Sequence, residues 1–530
     1  MEKKIEEILP FVKNPARYLG KEINVCIKKN NNIKVALGYP DIYEIGMSSL
    51  GLRILYGILN ERDDCVCERF FSPWVDFEEI IRKEKIPLFS LETKTPISSF
   101  DILGISLSSE LNYTNFLNIL SLSNIPIFSN ERNNEHPIII VGGNSTFNPL
   151  PLSPFVDAFV IGEGEEVINE IIDIVKENRR NRYKILENLN KIESVFVPIF
   201  KKEKVKKAFV KNFNDVYFPT KYLVPLNRII HDRVSIEIMR GCPSGCKFCQ
   251  AGSCWRPVRI KKVDRIVEIA KQIYKNTGYE EISLLSFSAG DHPEIENIII
   301  KLIEEFKEKK VSISFPSLRI DTFSFQLASK IKEIKKTNLT FAPETSERLR
   351  SRIGKNISDK KLIGLSLQAR KNNYRHIKLY FMIGLPDENQ KDIEDIVKLI
   401  NELSKIIFIH VSFTTFIPKV HTFYQGERFI KKEEYEEKRN YITERIKKNR
   451  YVKFSFQPYE VSCVECFLGK GDEKISKVIY NVWRKGAKFE NWKEFFDFNK
   501  WEEGFKETNT DINEYLKSKS SPYPWDFIEI

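Results

Sequence analysis

The chain has 530 residues, room for two to four domains of roughly 100–200 residues, each large enough to bury its own core. Hydrophobic residues make up 42% and charged residues 30%, with 23 Gly and 24 Pro, which excludes collagenous, low-complexity and wholly disordered chains. Lys and Arg (84) exceed Asp and Glu (73), a net charge of +11 spread along the length rather than gathered in a tail; that balance suits RNA or another anionic partner without singling one out.

The opening MEKKIEEILPF mixes acids and bases and lacks the apolar stretch of a secretory signal. No run of ~18 apolar residues follows, so no membrane partner is expected and the compartment expected is the cytoplasm. Nine cysteines, odd in number and unevenly placed, argue against a secreted disulfide framework. Six fall in two local clusters, Cys242/Cys246/Cys249/Cys254 and Cys463/Cys466, and local clusters suggest metal.

Residues 1–30 read as an N-terminal extension. From Ile33 short apolar runs (NIKVALGYP, DILGISLSS, PIIIVGGNS) alternate with helical stretches such as GLRILYGILNE, the pattern of a parallel sheet covered on both faces. This predicts a doubly wound, flavodoxin-like α/β domain over residues 31–170, with ligands expected beyond the carboxyl ends of its strands. Residues 171–230, with the basic run KENRRNRYK and the β-like SVFVPIF and KKAFV, read as a linking subdomain. From Val234 six strand-then-helix units begin with SIEIMR, EISLLSF, VSISFPS, NLTFAPE, HIKLYFMIGLP and IFIHVSFTTFIP. They predict a closed or partly closed parallel barrel, a (βα)6 partial TIM barrel over residues 231–420, with chemistry at the carboxyl ends of its strands. Residues 421–530, rich in charge and Trp, read as a mostly helical C-terminal extension.

The most specific signal follows the first barrel strand: Arg240-Gly-Cys242-Pro-Ser-Gly-Cys246-Lys-Phe-Cys249. Three thiolates on one short loop suit three irons of a cubane cluster and leave the fourth iron open to bind and activate a small molecule. The competing reading is a zinc site or a closed cluster with Cys254 as fourth ligand, although the C-x3-C-x2-C spacing lacks the paired knuckles usual for zinc. Cys463 and Cys466 read as free, partly buried thiols rather than half of an auxiliary cluster, and Cys65 and Cys67 as packing. His421, after the last barrel strand, is a candidate acid or base near substrate, with a hydrogen-bonded surface role as the alternative.

The cysteine motif, with Phe248 before its third cysteine and a barrel around it, resembles the radical S-adenosylmethionine (SAM) superfamily. The resemblance implies a [4Fe-4S] cluster on Cys242, Cys246 and Cys249, SAM bound at the open iron, and reductive cleavage to methionine and a 5′-deoxyadenosyl radical. It also implies cofactor contacts. Phe248 would lie against the adenine, Ser288-Ala289-Gly290-Asp291 at the methionine amino group in place of the usual GGE-like turn, Arg319 and Glu344 at strand ends, and Gly384 where backbone approaches adenine. A one-electron donor such as flavodoxin or ferredoxin would be needed.

Asp41-Ile-Tyr43-Glu-Ile-Gly46 occupies the place of the D-x-H-x-x-G motif of cobalamin-binding domains, with Tyr43 where the cobalt-ligating His would stand. Ser106-Leu-Ser108, Gly142-Gly143 and Gly162-Glu-Gly-Glu165 resemble the looser fingerprints of such domains fused ahead of radical SAM barrels. Bound cobalamin, and a degenerate domain without it, both stay open. Along nearly its whole length (NPARYLG, PDIYEIGMSSLG, LTFAPETSERLR, GKGDEKI, PYPWDFI) the chain resembles one uncharacterised family of such fused proteins, which implies a small companion protein. The expected function is a radical SAM enzyme, substrate unknown, with methylation or another modification of RNA or protein in view. The alternative is an RNA- or ribosome-associated binding protein with a structural iron–sulfur or zinc site. No catalytic residue acting on the substrate is assigned.

Overall fold

The computed structural model describes residues 1–28, 33–314 and 339–530. Six strands, β1 (Ile33–Tyr39), β2 (Cys65–Phe71), β3 (Ile102–Ser106), β4 (Ile138–Gly142), β5 (Ala158–Val160) and β6 (Val195–Phe196), form the first sheet in the order β2-β1-β3-β4-β5-β6. Neighbours are parallel except β5 and β6. Successive side chains point to opposite faces, and both faces are covered, which is why these runs are apolar throughout. Val35, Leu37, Ile102 and Ile140 pack under the helices Leu50–Glu61 and Val167–Glu177. Ala36, Leu103, Ile105 and Val141 pack under the helix Tyr113–Leu122 and the C-terminal extension. Gly38 is required at this crowding: a Cβ there would stand 2.3 Å from the Phe70 ring.

SVFVPIF, placed by sequence in a linking subdomain, supplies the antiparallel edge strand β6, and β7 (Val205–Lys206) follows it. The second half opens with β8 (Val234–Glu237), then the short antiparallel pair β9 (Met239–Arg240) and β10 (Arg259–Ile260). β11 (Glu281–Leu285) and β12 (Ser312–Ser314) continue from β8 in parallel. β13 (Leu339–Glu344), β14 (His376–Ile383) and β15 (Phe408–Thr415) form a further parallel sheet, so all six expected barrel strands are present. A seventh, β16 (Val452–Phe456), comes from the C-terminal extension and pairs parallel to β15. The sequence reading missed it because five residues inside a charged stretch carry too short an alternation. In β14, Ile377, Leu379, Phe381 and Ile383 are buried against the helix Gln390–Ser404, while His376, Lys378, Tyr380 and Met382 face the other way, half-buried.

The C-terminal extension wraps back over the first domain, and its last strand, β17 (Ile528–Glu529), pairs with β7. The Trp492 indole N–H donates to Asp41 at 3.1 Å, and Trp74 meets Phe489, Trp492 and Phe495 edge-on or tilted. Trp501, fully buried, donates from Nε1 to Glu490 Oε2 at 2.7 Å. Burial pushes the Glu490 carboxyl up to about 7, and its Oε1 has no hydrogen-bond partner among the described residues.

A carboxyl whose folded pKa lies above its unfolded value stabilises the fold fully below the unfolded pKa and loses that contribution as pH rises through the folded one. Glu490→Gln is therefore expected to raise the unfolding free energy from urea melts at pH 8 by on the order of 2–3 kcal/mol, shifting the midpoint up, and to leave both nearly unchanged at pH 4. A midpoint gain that is the same at both pH values would contradict the assignment.

Candidate functional site

The cysteine loop leaves β9 through Gly241 at φ +88°, where a Cβ would sit 2.5 Å from the Trp255 carbonyl oxygen. Only glycine takes both that conformation and that approach. Cys242, Cys246 and Cys249 are half-buried and none is in a disulfide. The loop is held from outside. The Lys247 N–H donates to the Ile353 carbonyl at 3.0 Å, the Lys247 carbonyl accepts from Tyr424 N–H at 3.2 Å, and Gln250 Nε2 donates to the Val420 carbonyl at 3.2 Å. Gly354, at φ +78°, abuts the loop so closely that a Cβ would come within 2.5 Å of the Gly245 carbonyl oxygen.

Among the described residues no three His, Cys, Asp or Glu side chains converge as a single metal ion requires. A cubane takes each thiolate on a different iron, a demand that three thiols on one short loop can meet. Burial pushes the Cys249 thiol up, the Ala251 and Gly252 N–H groups pull it down, and Cys242 and Lys355 are near enough to act on it electrostatically. Cys254 is fully buried in the apolar core, its thiol pushed up to about 12 by burial, and packs there as a small hydrophobe.

The other barrel-end residues fall as follows. Phe248 packs against Ile353, Leu385, Phe416 and Tyr424, beside the turn that carries Gly384. Gly384 lies at φ +90°, donates its N–H to Glu388 Oε1 at 2.9 Å, and has no room for a Cβ beside Ile430. Ser288 begins a tight turn over Ala289–Asp291, past Gly290, and its hydroxyl donates to Asp291 Oδ2 at 2.6 Å. Glu344 stands at a β-bulge with φ +68° and pairs with Lys355 at 2.7 Å. Sequence reasoning missed Lys355; nothing in RIGKN marks it, because its significance lies in its nearness to Glu344 and Cys249. Arg319 lies outside the described residues.

Arg240, one residue ahead of the loop, is buried and contacts Glu163 at 3.0 Å, Glu165 at 2.7 Å and Glu237 at 2.7 Å. Arg259 pairs with Glu163 as well. These glutamates come from Gly162-Glu-Gly-Glu165 of the first domain and from β8, so the ion cluster joins the two halves. Beside it lies an apolar cavity of about 320 Å³ at the carboxyl edge of the first sheet. Its walls include Ile102, Ile140, Leu52 and Ile168, its rim Ser106, Gly142 and Gly143, and it reaches the barrel side at Trp255 and Phe287. Gly143, at φ +104°, abuts the Leu107 backbone, whereas a Cβ on Gly142 would meet no protein atom within 4 Å.

Asp41, Tyr43 and Gly46 are not part of that lining. Tyr43 is buried, and its hydroxyl donates to Glu22 at 2.8 Å and accepts from Leu226 N–H at 3.2 Å; burial and the Glu22 charge raise its pKa. Asp41, pushed up to about 6 by burial, accepts from Ile42 N–H and the Trp492 indole. Gly46 has its Cβ direction filled by Phe71. His421 donates its Nε2–H to the Phe147 carbonyl at 2.9 Å, and burial lowers its pKa. Cys463 and Cys466 are buried in the helix Tyr459–Gly469, and Cys65 and Cys67 in β2.

A cysteine loop held at the top of a parallel barrel, with an α/β domain clamped against it, defines a radical SAM protein with a fused N-terminal domain. The chain belongs to that superfamily: its model, described as the radical SAM superfamily, matches residues 236–400, and the model described as radical SAM proteins, N-terminal, matches residues 51–198. An uncharacterised protein of Methanocaldococcus jannaschii is 28% identical over 450 residues, 84% of this chain and 90% of that protein. An uncharacterised methyltransferase of Pyrococcus horikoshii is 27% identical over 318 residues, 57% of this chain and 64% of its own length. The solved structure of OxsB, a cobalamin-dependent SAM radical enzyme with aqua-cobalamin and SAM bound, aligns with TM-score 0.53 and 14% identity over 93% of this chain and 82% of that one. The chain is a radical SAM enzyme. No helix among the described residues is long and apolar enough to cross a membrane.

Gly354→Ala forces a side chain against the Gly245 carbonyl, at a backbone conformation that disfavours it. Iron and sulfide per chain after anaerobic reconstitution are expected to fall at least several-fold while far-UV circular dichroism stays native. Full iron loading in this variant would mean that the contact does not shape the loop.

Proposed function

We propose that this protein is a cobalamin-dependent radical SAM methyltransferase. The observation that carries the corrinoid is the cavity at the carboxyl edge of the first sheet: it is apolar, opens toward the cysteine loop through Trp255 and Phe287, and leaves the Gly142 Cβ direction vacant. An α/β sheet takes ligands at this edge. The buried apolar walls suit the planar base of a corrinoid's nucleotide tail, and Ser106, Gly142 and Gly143 would let the backbone approach it. Tyr43 has both its hydrogen-bonding roles taken, so cobalamin would be held without a protein ligand to cobalt.

When bound, a [4Fe-4S] cluster with SAM supplies one-electron cleavage to a 5′-deoxyadenosyl radical, and a corrinoid supplies a methyl carrier. The chain's part is placement and exclusion of water. Cys242, Cys246 and Cys249 would hold the cluster. Phe248 and the Gly384 turn would bracket the adenine, and Ser288 to Asp291 the methionine ammonium. Glu344 and Lys355 form an ion pair beside Cys249, suited to the opposite charges of an amino acid zwitterion. Arg319 joins this group on the resemblance alone. The electron donor would be a flavodoxin or ferredoxin, the substrate an RNA or a protein, and the compartment the cytoplasm, where nine thiols without a disulfide stay reduced.

Two variants separate the parts of this reading. Cys246→Ala is expected to abolish 5′-deoxyadenosine formation from SAM under dithionite; turnover at the wild-type rate would remove the cluster assignment. Gly142→Leu should fill the cavity without disturbing its neighbours, and is expected to lower retention of added hydroxocobalamin more than tenfold, read from the corrin absorption after gel filtration, with 5′-deoxyadenosine formation kept. Equal retention by the variant, or none by the wild type, would exclude the cavity as a corrinoid site.

A further inference from the structure

We propose that the amino end of the last barrel strands, opposite the cofactor face, is a docking surface for single-stranded or looped RNA. Three segments lead into β14, β15 and β16: residues 370–378 (RKNNYRHIK), 404–410 (SKIIFIH) and 445–453 (RIKKNRYVK). Together they hold ten Lys or Arg, two His and no Asp or Glu, against near balance of charge over the chain. The sheet register sets them side by side: His376 pairs with Phe408, Lys378 with His410, and His410 with Lys453. Asn449 ties the last two segments, donating to Asn401 Oδ1 at 3.1 Å and Ser404 Oγ at 2.8 Å. Arg375, Lys405, Lys447, Lys448, Arg450 and Lys453 are exposed, and no described carboxylate stands within ion-pair distance of them. Glu444, just outside, is taken by Arg445 at 3.9 Å.

Between the cations stand flat groups. His376 and His410 stack at 4.8 Å, Arg450 lies over the half-exposed Tyr451 ring at 5.0 Å, and Arg445 over Tyr441 at 3.4 Å. Cations that follow a phosphate backbone, interleaved with rings and guanidinium planes on which bases stack, are what single-stranded nucleic acid needs. β14 spans eight residues, about 25 Å, so this face is a barrel's length from the cysteine loop. That distance removes the electron donor as its occupant, since a reductant must dock beside the cluster. Tyr451 is the sole large hydrophobic exposed here among the described residues, too little for insertion into a bilayer. The proposal goes beyond methyl transfer and does not depend on it, because binding can be read without cluster or corrinoid.

The test uses the full chain and fluorescein-labelled U20 RNA, with phosphatidylserine vesicles and polyglutamate as the competing polyanions. Wild type is expected to bind the RNA with a dissociation constant that weakens steeply with salt. K447A/K448A/R450A/K453A should weaken binding at least tenfold at 100 mM salt and reduce the slope of log K against log salt by about 3, roughly 0.7 for each phosphate no longer neutralised. K184A/K191A/K201A, which removes charge from the first domain, should bind as wild type, and Tyr451→Ala should lose several-fold affinity with the slope kept. If the quadruple variant melts early, Lys405→Glu replaces it, with the same direction expected. The proposal is overturned if the patch variants bind like wild type, if the control loses as much, or if vesicles or polyglutamate bind as tightly as RNA.

Discussion

Arg240 is the residue on which the arrangement of the two halves depends. It stands immediately ahead of the cysteine loop, and its guanidinium is enclosed by Glu163 and Glu165 from the first domain and Glu237 from β8. Burial disfavours its charge, yet the three carboxylates offset that and hold it protonated. Breaking a buried ion pair by removing one partner typically costs about 3–5 kcal/mol, because the remaining charge is stranded. Arg259 adds a second cation to Glu163, so the joint is a small network rather than one pair. The cavity and the loop thus share a wall, with Arg240 and Trp255 lining one while belonging to the chain of the other.

The C-terminal extension reinforces this joint from the far side. Lys419, just after the last expected barrel strand, is half-buried and paired with both Glu110 of the first domain at 3.1 Å and Glu465 of the extension at 2.8 Å. Asn148 donates to the carbonyls of Gly469 and Gly471. Phe467, Val478, Trp501 and Trp525 belong to the same apolar core as Leu103 and Ile139 of the first sheet. One face of that sheet is therefore covered jointly, by the helix Tyr113–Leu122 of its own domain and by the extension, which couples the stability of the two.

What could be read from sequence was whatever depends on neighbours in the chain. The six barrel strands are apolar runs at regular spacing, and the three cysteines fall on one loop, so both were legible. β16 was not, and β6 was read as β-like without its place in the first sheet, because short strands owe their pairing to the sheet edge they join. Glu163 and Glu165 were visible as a Gly-Glu repeat, but their partner lies some 75 positions on, and Lys355 carries no local mark at all. The Asp41-to-Gly46 frame shows what spacing alone leaves out: Tyr43 is hydrogen-bonded to Glu22 and Asp41 to Trp492, and neither lines the cavity.

Five of the nine cysteines are buried, and Cys26 and the three of the loop are half-buried. Cys65, Cys254, Cys463 and Cys466 are buried, with thiols pushed up to about 12, and burial raises the Cys67 thiol as well. Thiols of that kind stay protonated and resist oxidation and alkylation. An oxidant would meet few targets beyond the half-buried Cys26, Cys242, Cys246 and Cys249, so aerobic damage concentrates on four sulfurs whose first oxidation products a reductant can restore. The protein should therefore survive isolation in air as a recoverable apoprotein rather than as scrambled aggregate.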